Sequence, residues 1–320
     1  MRCLVTGGAG FIGSHLVERL VKDEHDVLVF DNLSTGTLDN IKGFLDVLHA
    51  GHFVQADVRD PLACSRAMHD IDVVFHLAAR GSVPRSVDDP IGSNEVNVTG
   101  TLNLLAAAQK AGVKRFVYSS SSSVYGPQEH AEKSEGLVPN PSSPYGVSKL
   151  AAERYCAAFW HTHGLETASL RYFNVYGPRQ NPDGQYAAVI PRFIKAALAG
   201  KRPTIYGNGG QTRDFTYVSD VVEANILVAK ELSYGEAINI GSGNSTSIFD
   251  LAKTIVGWPG MPAATLGPDG SPYEFVPERL GDVTHSRALL MLAWEHLGYK
   301  PKVTLEEGLK KTLAWHRENR

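Results

Sequence analysis

Residues Val5-Thr6-Gly7-Gly8-Ala9-Gly10-Phe11-Ile12-Gly13 join a short β-branched run, Cys3–Thr6, to an amphipathic stretch, Ile12–Lys22. Gly7, Gly10 and Gly13 form a G-x-x-G-x-x-G spacing, and Gly8, Gly10 and Gly13 also satisfy G-x-G-x-x-G. A strand, a tight glycine turn and a helix start, in that order, let the backbone approach a pyrophosphate at the positive end of a helix. Asp31 closes the next apolar run, 18 residues after Gly13. From there a carboxylate can accept hydrogen bonds from the adenosine ribose and repel a 2′-phosphate, which points to NAD rather than NADP. The bland alternative for an isolated glycine loop is a turn that needs left-handed residues. Strand, loop, helix and acid standing in sequence decide for dinucleotide binding.

The rest of the first half repeats the pattern. Candidate strands at Val27–Asp31, His52–Ala56, Val73–Leu77, Phe116–Ser120 and Thr167–Arg171 alternate with helical patterns at Pro61–Met68, Asn94–Ala111 and Ser143–His163. Such alternation predicts an α/β fold with a doubly wound parallel sheet. After Arg171 the texture changes to clusters of glycine, proline and arginine around helical patterns at Ala187–Ala199, Val218–Glu231, Thr246–Val256 and Leu305–Arg317. The expectation is a Rossmann domain over 1–175 and a smaller C-terminal substrate-binding lobe over 176–320, with a soft boundary and segments that can interleave. A hydrophobic share of 43% suffices for a core of this size.

Charge and cysteine content exclude several classes. With 31 basic and 34 acidic residues, the net charge of −3 argues against a nucleic-acid partner. Cys3, Cys64 and Cys156 show neither paired spacing nor metal-ligand spacing, and His161 and His163 read as solvated, so no metal is expected. No signal peptide and no membrane-length apolar run is seen, and the expected location is the cytoplasm.

A second motif carries chemistry. In Tyr145-Gly146-Val147-Ser148-Lys149, behind Pro144 at a helix start, Tyr145 and Lys149 stand four apart and share one helix face. A phenol near pKa ~10 is a poor base at neutral pH. A lysine cation and a cationic nicotinamide beside it are expected to favour the phenolate, so that Tyr145 removes a hydroxyl proton while hydride leaves the same carbon. Lys149 is also expected to hold the nicotinamide ribose. Ser119 to Ser123 end the fifth strand at its carboxyl side, where open α/β sheets bind ligands. By itself Y-x-x-x-K is ordinary helix surface; its weight comes from lying downstream of a dinucleotide signal.

Taken together, TGGAGFIGSHL (6–16), DNLSTG (31–36), ADVRD (56–60), HLAA (76–79), NVTGT (97–101), SSVYG (122–126), PYGVSK (144–149), RYFNVYGPRQ (171–180) and GQTRDFTYVSD (210–220) resemble the extended short-chain dehydrogenases, specifically UDP-sugar 4-epimerases. The resemblance runs nearly end to end and implies roles. Ser121 falls at the catalytic Ser or Thr position, beside Tyr145 and Lys149. Gly7, Gly10, Phe11, Ile12, Gly13, Asp31, Asn32, Ser34, Thr35, Gly36, Leu77, Ala78, Ala79, Asn97, Ser119 and Tyr172 line the cofactor, and Asp57 and Val58 flank its adenine. Ser82, Arg85, Ser122, Ser123, Asn174, Ala188, Val189 and Tyr206 meet the nucleotide sugar, and Arg213 and Arg279 grip its diphosphate near Asp282. The implied reaction keeps NAD bound: hydride leaves C4, the 4-keto sugar turns over in the pocket, and hydride returns to its other face. A homodimer is implied as well, through the helices around 94–111 and 143–163.

Ser286, seven after Arg279, stands where many strict UDP-glucose/galactose enzymes look to have tyrosine, and a small residue there leaves room for an N-acetyl group. Its bland alternative is an N-cap for a helix beginning near Arg287. Asn174 departs from the threonine expected in uronic-acid epimerases, which weakens UDP-glucuronate as a substrate. A 4,6-dehydratase or decarboxylase uses the same oxidation but is expected to carry acids just after the catalytic hydroxyl, where this chain has Ser122 and Ser123. A non-catalytic dinucleotide sensor on the same fold has no need of Ser121, Tyr145 and Lys149 together.

Overall fold

The computed structural model describes residues 1–45, 52–183, 187–230, 235–278 and 283–319. Its centre is a seven-stranded parallel sheet made of β1 (Arg2–Thr6), β2 (Asp26–Asp31), β3 (Phe53–Gln55), β4 (Val73–His76), β5 (Arg115–Ser121), β6 (Glu166–Tyr172) and β7 (Ala237–Ile240). The spatial order is β3-β2-β1-β4-β5-β6-β7. The order reverses between β1 and β4, and in open sheets the crevice at such a point receives the ligand.

Period-two alternation sorts the side chains into two cores. Cys3, Val5, Val29, Phe75 and Leu170 point to one face, where α1 (Phe11–Lys22) and α6 (Val218–Lys230) cover them. Leu4, Phe30, Val74, Phe116 and Tyr118 point to the other, under α2 (Pro61–Ala67), α3 (Gly100–Ala111) and α4 (Pro144–His163). Burial on both faces explains why the strands read as continuous apolar runs. A third core, with Ile194, Ile205, Phe215, Leu251 and Leu309, unites α5 (Val189–Leu198) with Ile248–Val256 and Leu305–Glu318.

Six strands lie where the sequence predicts them. The seventh, β7, is not foreseen, and it lies beyond residue 175 together with α6, so the chain returns to the large sheet after leaving it. The stretch read as one helix over Asn94–Ala111 is a succession, Pro90–Asn94, a π turn at Glu95–Thr99, and α3. Ser286 lies in a strand, His285–Ala288, while the next helix starts at Met291 with Leu290 before it. The N-cap reading of Ser286 is therefore corrected.

Candidate active site

The carboxyl ends of the central strands open onto a cavity of about 810 Å³ lined by Gly7, Gly10, Phe11, Ile12 and Gly13. Gly7 has φ +69°, and a Cβ there would stand 2.7 Å from the Ala78 nitrogen, so a side chain cannot be accommodated. No side chain caps α1 at Gly10, which leaves the first-turn N–H groups for an anion. Asp31 accepts hydrogen bonds from the Ala9 N–H at 3.0 Å and the Leu33 N–H at 2.8 Å, which fixes its carboxyl at the cavity edge. Burial raises its pKa above the usual aspartate value. Asn32, Ser34, Thr35, Val58, Leu77, Ala78, Ala79, Ser119 and Tyr172 continue the wall. Glycine cradle, uncapped helix start and oriented acid are together what a dinucleotide requires.

Three more residues assigned to this wall are held by contacts within the protein. Asp57 is bound by Arg59 (2.8 and 3.0 Å) and by Asn32 (2.9 Å), which hold its carboxyl well below the usual range, and Arg59 lines the cavity. Asn97, 1% exposed, accepts from the Arg80 N–H at 2.7 Å and donates to Ser148 Oγ at 3.0 Å, so it braces the loop after β4 against α4. Gly36 packs its backbone against Ala9 and Gly10 and supports the glycine loop from behind.

Tyr145 and Lys149 enter the same cavity from α4. Ser143 caps that helix by accepting from the Gly146 N–H at 3.1 Å, and Pro144 fills its first position. A Cβ on Gly146 would meet the Ser123 carbonyl oxygen at 2.6 Å; its absence lets α4 lie close to the end of β5. The Tyr145 N–H donates to Ser86 Oγ at 2.9 Å. Burial raises the Tyr145 pKa, opposed by a hydrogen bond with Ser121. Lys149 Nζ stands 5.9 Å from the Tyr145 ring centroid and donates to the Ser119 carbonyl at 2.7 Å. Its own pKa is lowered to about 8 by burial. Burial thus works against the phenolate in the protein alone, and the charge of a bound nicotinamide is the further influence that would favour it. Ser119 and Ser120 line the cavity, whereas Ser122 and Ser123 form a tight turn capped by Ser121, which accepts from the Ser123 N–H at 3.1 Å.

A second cavity of about 260 Å³ adjoins the first, and Ser82 and Ala188 line both. Its walls include Asn174, Val189, Tyr206 and Arg213. Arg85 faces the first cavity. Asn174 adopts φ +24°, a region asparagine tolerates better than most residues, and donates to the Asp214 carbonyl at 3.2 Å. Asp214 itself is fully buried and accepts from Ser242 N and Oγ (both 2.7 Å), Gly243 N (3.0 Å) and Ala288 N (3.1 Å), which anchors the strand bearing Arg213. At the N-terminus of α5 no side chain caps Ala188, so N–H groups again face a cavity. Ser286 pairs in register with Arg213, one strand away, and is not among the residues lining either cavity. Arg279 and Asp282 lie outside the described residues.

The sequence reading missed Arg80, Arg59, Arg192 and Gln211 on these walls. Arg80 follows the HLAA motif directly and Gln211 stands two before Arg213, so motif proximity was an available signal. Arg192, whose guanidinium lies 5.9 Å from the Tyr206 ring centroid, is one helical turn after Val189, and only the helix geometry turns it to the cavity. Among the described residues no cluster of three or more His, Cys, Asp or Glu is arranged to hold a metal ion, and no helix is long and apolar enough to cross a membrane.

The model of the NAD-dependent epimerase/dehydratase family matches residues 3–241. A UDP-glucose 4-epimerase from Mycolicibacterium smegmatis is 42% identical over 319 residues, 99% of each chain. A UDP-N-acetyl-α-D-glucosaminuronate decarboxylase from Bacillus cytotoxicus is 39% identical over 332 aligned positions, covering 99% of this chain and 98% of that one. The solved UDP-N-acetylglucosamine 4-epimerase from Methanobrevibacter ruminantium, in complex with UDP-N-acetylmuramic acid, superposes with a TM-score of 0.89 at 37% identity, covering 100% of this chain and 99% of the other.

Proposed function

The chain belongs to the NAD-dependent epimerase/dehydratase family, whose cofactor is NAD, and on that premise we propose that it is a UDP-sugar 4-epimerase. Its substrates on this reading are UDP-glucose and UDP-galactose, with UDP-GlcNAc and UDP-GalNAc as a second pair. One observation carries the choice of epimerisation over an elimination. Asp31 is the sole carboxylate among the described residues lining the two cavities, and it belongs to the glycine-loop end. An elimination needs an acid and a base at the sugar besides the oxidation; Tyr145, Ser121 and Lys149 suffice for oxidation and return.

NAD supplies a hydride acceptor and donor for the sugar's C4. Tyr145 takes the proton of the 4-hydroxyl and gives it back, and Ser121 steadies the sugar oxygen through the hydrogen bond it shares with that phenol. Lys149 adds positive charge beside the phenol and a donor for the cofactor ribose. Arg213, Asn174 and the α5 N-terminus hold the nucleotide diphosphate, with Arg279 added by the resemblance. The small residues Ser82 and Ala188, where the cavities meet, leave the sugar space to turn.

Incubating the purified protein with UDP-galactose, without added NAD, tests the reading: UDP-glucose should form, and UDP-GlcNAc should yield UDP-GalNAc. The decarboxylase relative makes UDP-glucuronate the informative control. Carbon dioxide released from it, or a 4-keto-6-deoxy product from UDP-glucose, with no epimer formed, overturns the proposal.

A further inference from the structure

One helix stripe in α4 reads the serine run at the end of β5 residue by residue. Tyr145, Lys149 and Glu153 stand four apart on one face of α4. Tyr145 bonds Ser121, Lys149 Nζ donates to the Ser119 carbonyl at 2.7 Å, and Ser120 Oγ donates to Glu153 Oε1. Glu153 is 4% exposed and holds a forked pair with Arg171 of β6, at 3.0 Å from Nε and 2.9 Å from Nη2. Arg171 Nη1 donates onward to Tyr125 Oη at 2.9 Å, and Tyr125 donates to Asn239 Oδ1 of β7 at 2.7 Å. A buried ion pair is seldom retained for stability alone, since well-packed apolar residues serve as well.

We propose that Glu153 is a positioning residue that holds the ammonium of Lys149 charged and against the Ser119 carbonyl, through a carboxylate fixed between Ser120 and Arg171. This rests on the reading of Lys149 as part of the cofactor site. The groups facing Lys149 are Tyr145, Glu153 and Cys156 of its own helix, Tyr118 of β5, whose ring centroid is 4.9 Å from Nζ, and His76 of β4. Burial holds His76 neutral and lifts Cys156 and Tyr118 well above their usual values, so Glu153 is the anion in the group. Desolvation pulls the Lys149 pKa down, and the Glu153 charge is the largest influence opposing it. Arg171 fixes the carboxylate's orientation through its two bonds.

The test measures NADH affinity of dinucleotide-freed protein between pH 6 and 10, by fluorescence titration, so it does not depend on which sugar turns over. Wild type should lose affinity as pH rises through about 8. Glu153→Gln, which keeps the shape but gives up one of the two acceptor oxygens that Arg171 uses, should move that loss down by about one pH unit. Because Glu153→Gln leaves Arg171 unpaired, the neutral pair Glu153→Gln with Arg171→Met is made alongside it. A downward shift in a folded variant supports the proposal. A folded variant with the wild-type pH profile overturns it, as does failure of both variants to fold, which assigns the pair to the core. Loss of epimerase activity on every sugar, with the NADH shift intact, would discredit the sugar reading and leave Glu153's role standing.

Discussion

Lys149→Met should make the dinucleotide-free protein more stable at pH 7 while removing its function. Lys149 is 3% exposed, and its pKa falls from 10.5 to about 8 on folding. At about 1.36 kcal/mol per pKa unit, burying the cation costs roughly 3 kcal/mol. Methionine fills nearly the same volume without charge, but it gives up the bond to the Ser119 carbonyl, about 1–2 kcal/mol. The net expectation is a gain of roughly 1–2 kcal/mol at pH 7. The pH dependence is the sharper test. Below pH 8 lysine is protonated in both states and the full cost applies. Between about pH 8 and 10.5 the folded protein has lost the proton and the unfolded chain has not, so wild-type stability gains on the variant as pH rises. Urea unfolding at pH 7 and pH 10 measures both differences, on protein freed of dinucleotide because a bound ligand stabilises the folded state. A variant less stable than wild type at pH 7, or a stability difference that does not change with pH, refutes the reasoning.

Tyr145→Phe should lower kcat by about 10²–10⁴-fold with NAD still bound, since only a positioned proton donor and acceptor is lost; a variant retaining half the activity removes Tyr145 from the mechanism. Ser286→Tyr places a ring on the strand beside Arg213, and should reduce kcat/KM for UDP-GlcNAc at least about tenfold relative to UDP-glucose. Parallel loss on both sugars would show a merely structural effect. Val87, Ile91, Val147 and Tyr155 are exposed by 61%, 73%, 53% and 38% on neighbouring helices, an apolar surface suited to a two-fold seam. Sedimentation at micromolar concentration should therefore show a dimer, and a monomer alone would remove that assignment.

What the sequence determined by itself is local. The glycine spacing, the strand-end Asp31, the four-residue step from Tyr145 to Lys149 and the alternation of apolar runs each follow from interactions within one or two turns of chain. All of them lie where such short-range geometry puts them. The tertiary structure decided what depends on distant partners. β7 joins the large sheet because β6 offers it an edge, although their sequences stand some 65 residues apart. Asn32 reaches Asp57 across 25 residues of chain, and Asn97 holds Arg80 and Ser148, 17 and 51 residues away. The five serines look alike in the chain; their separate tasks appear only when α4 lies across the end of β5. Burial acts on ionisation in the same way: it raises the Tyr145 pKa and lowers that of Lys149, which the four-residue spacing by itself does not show.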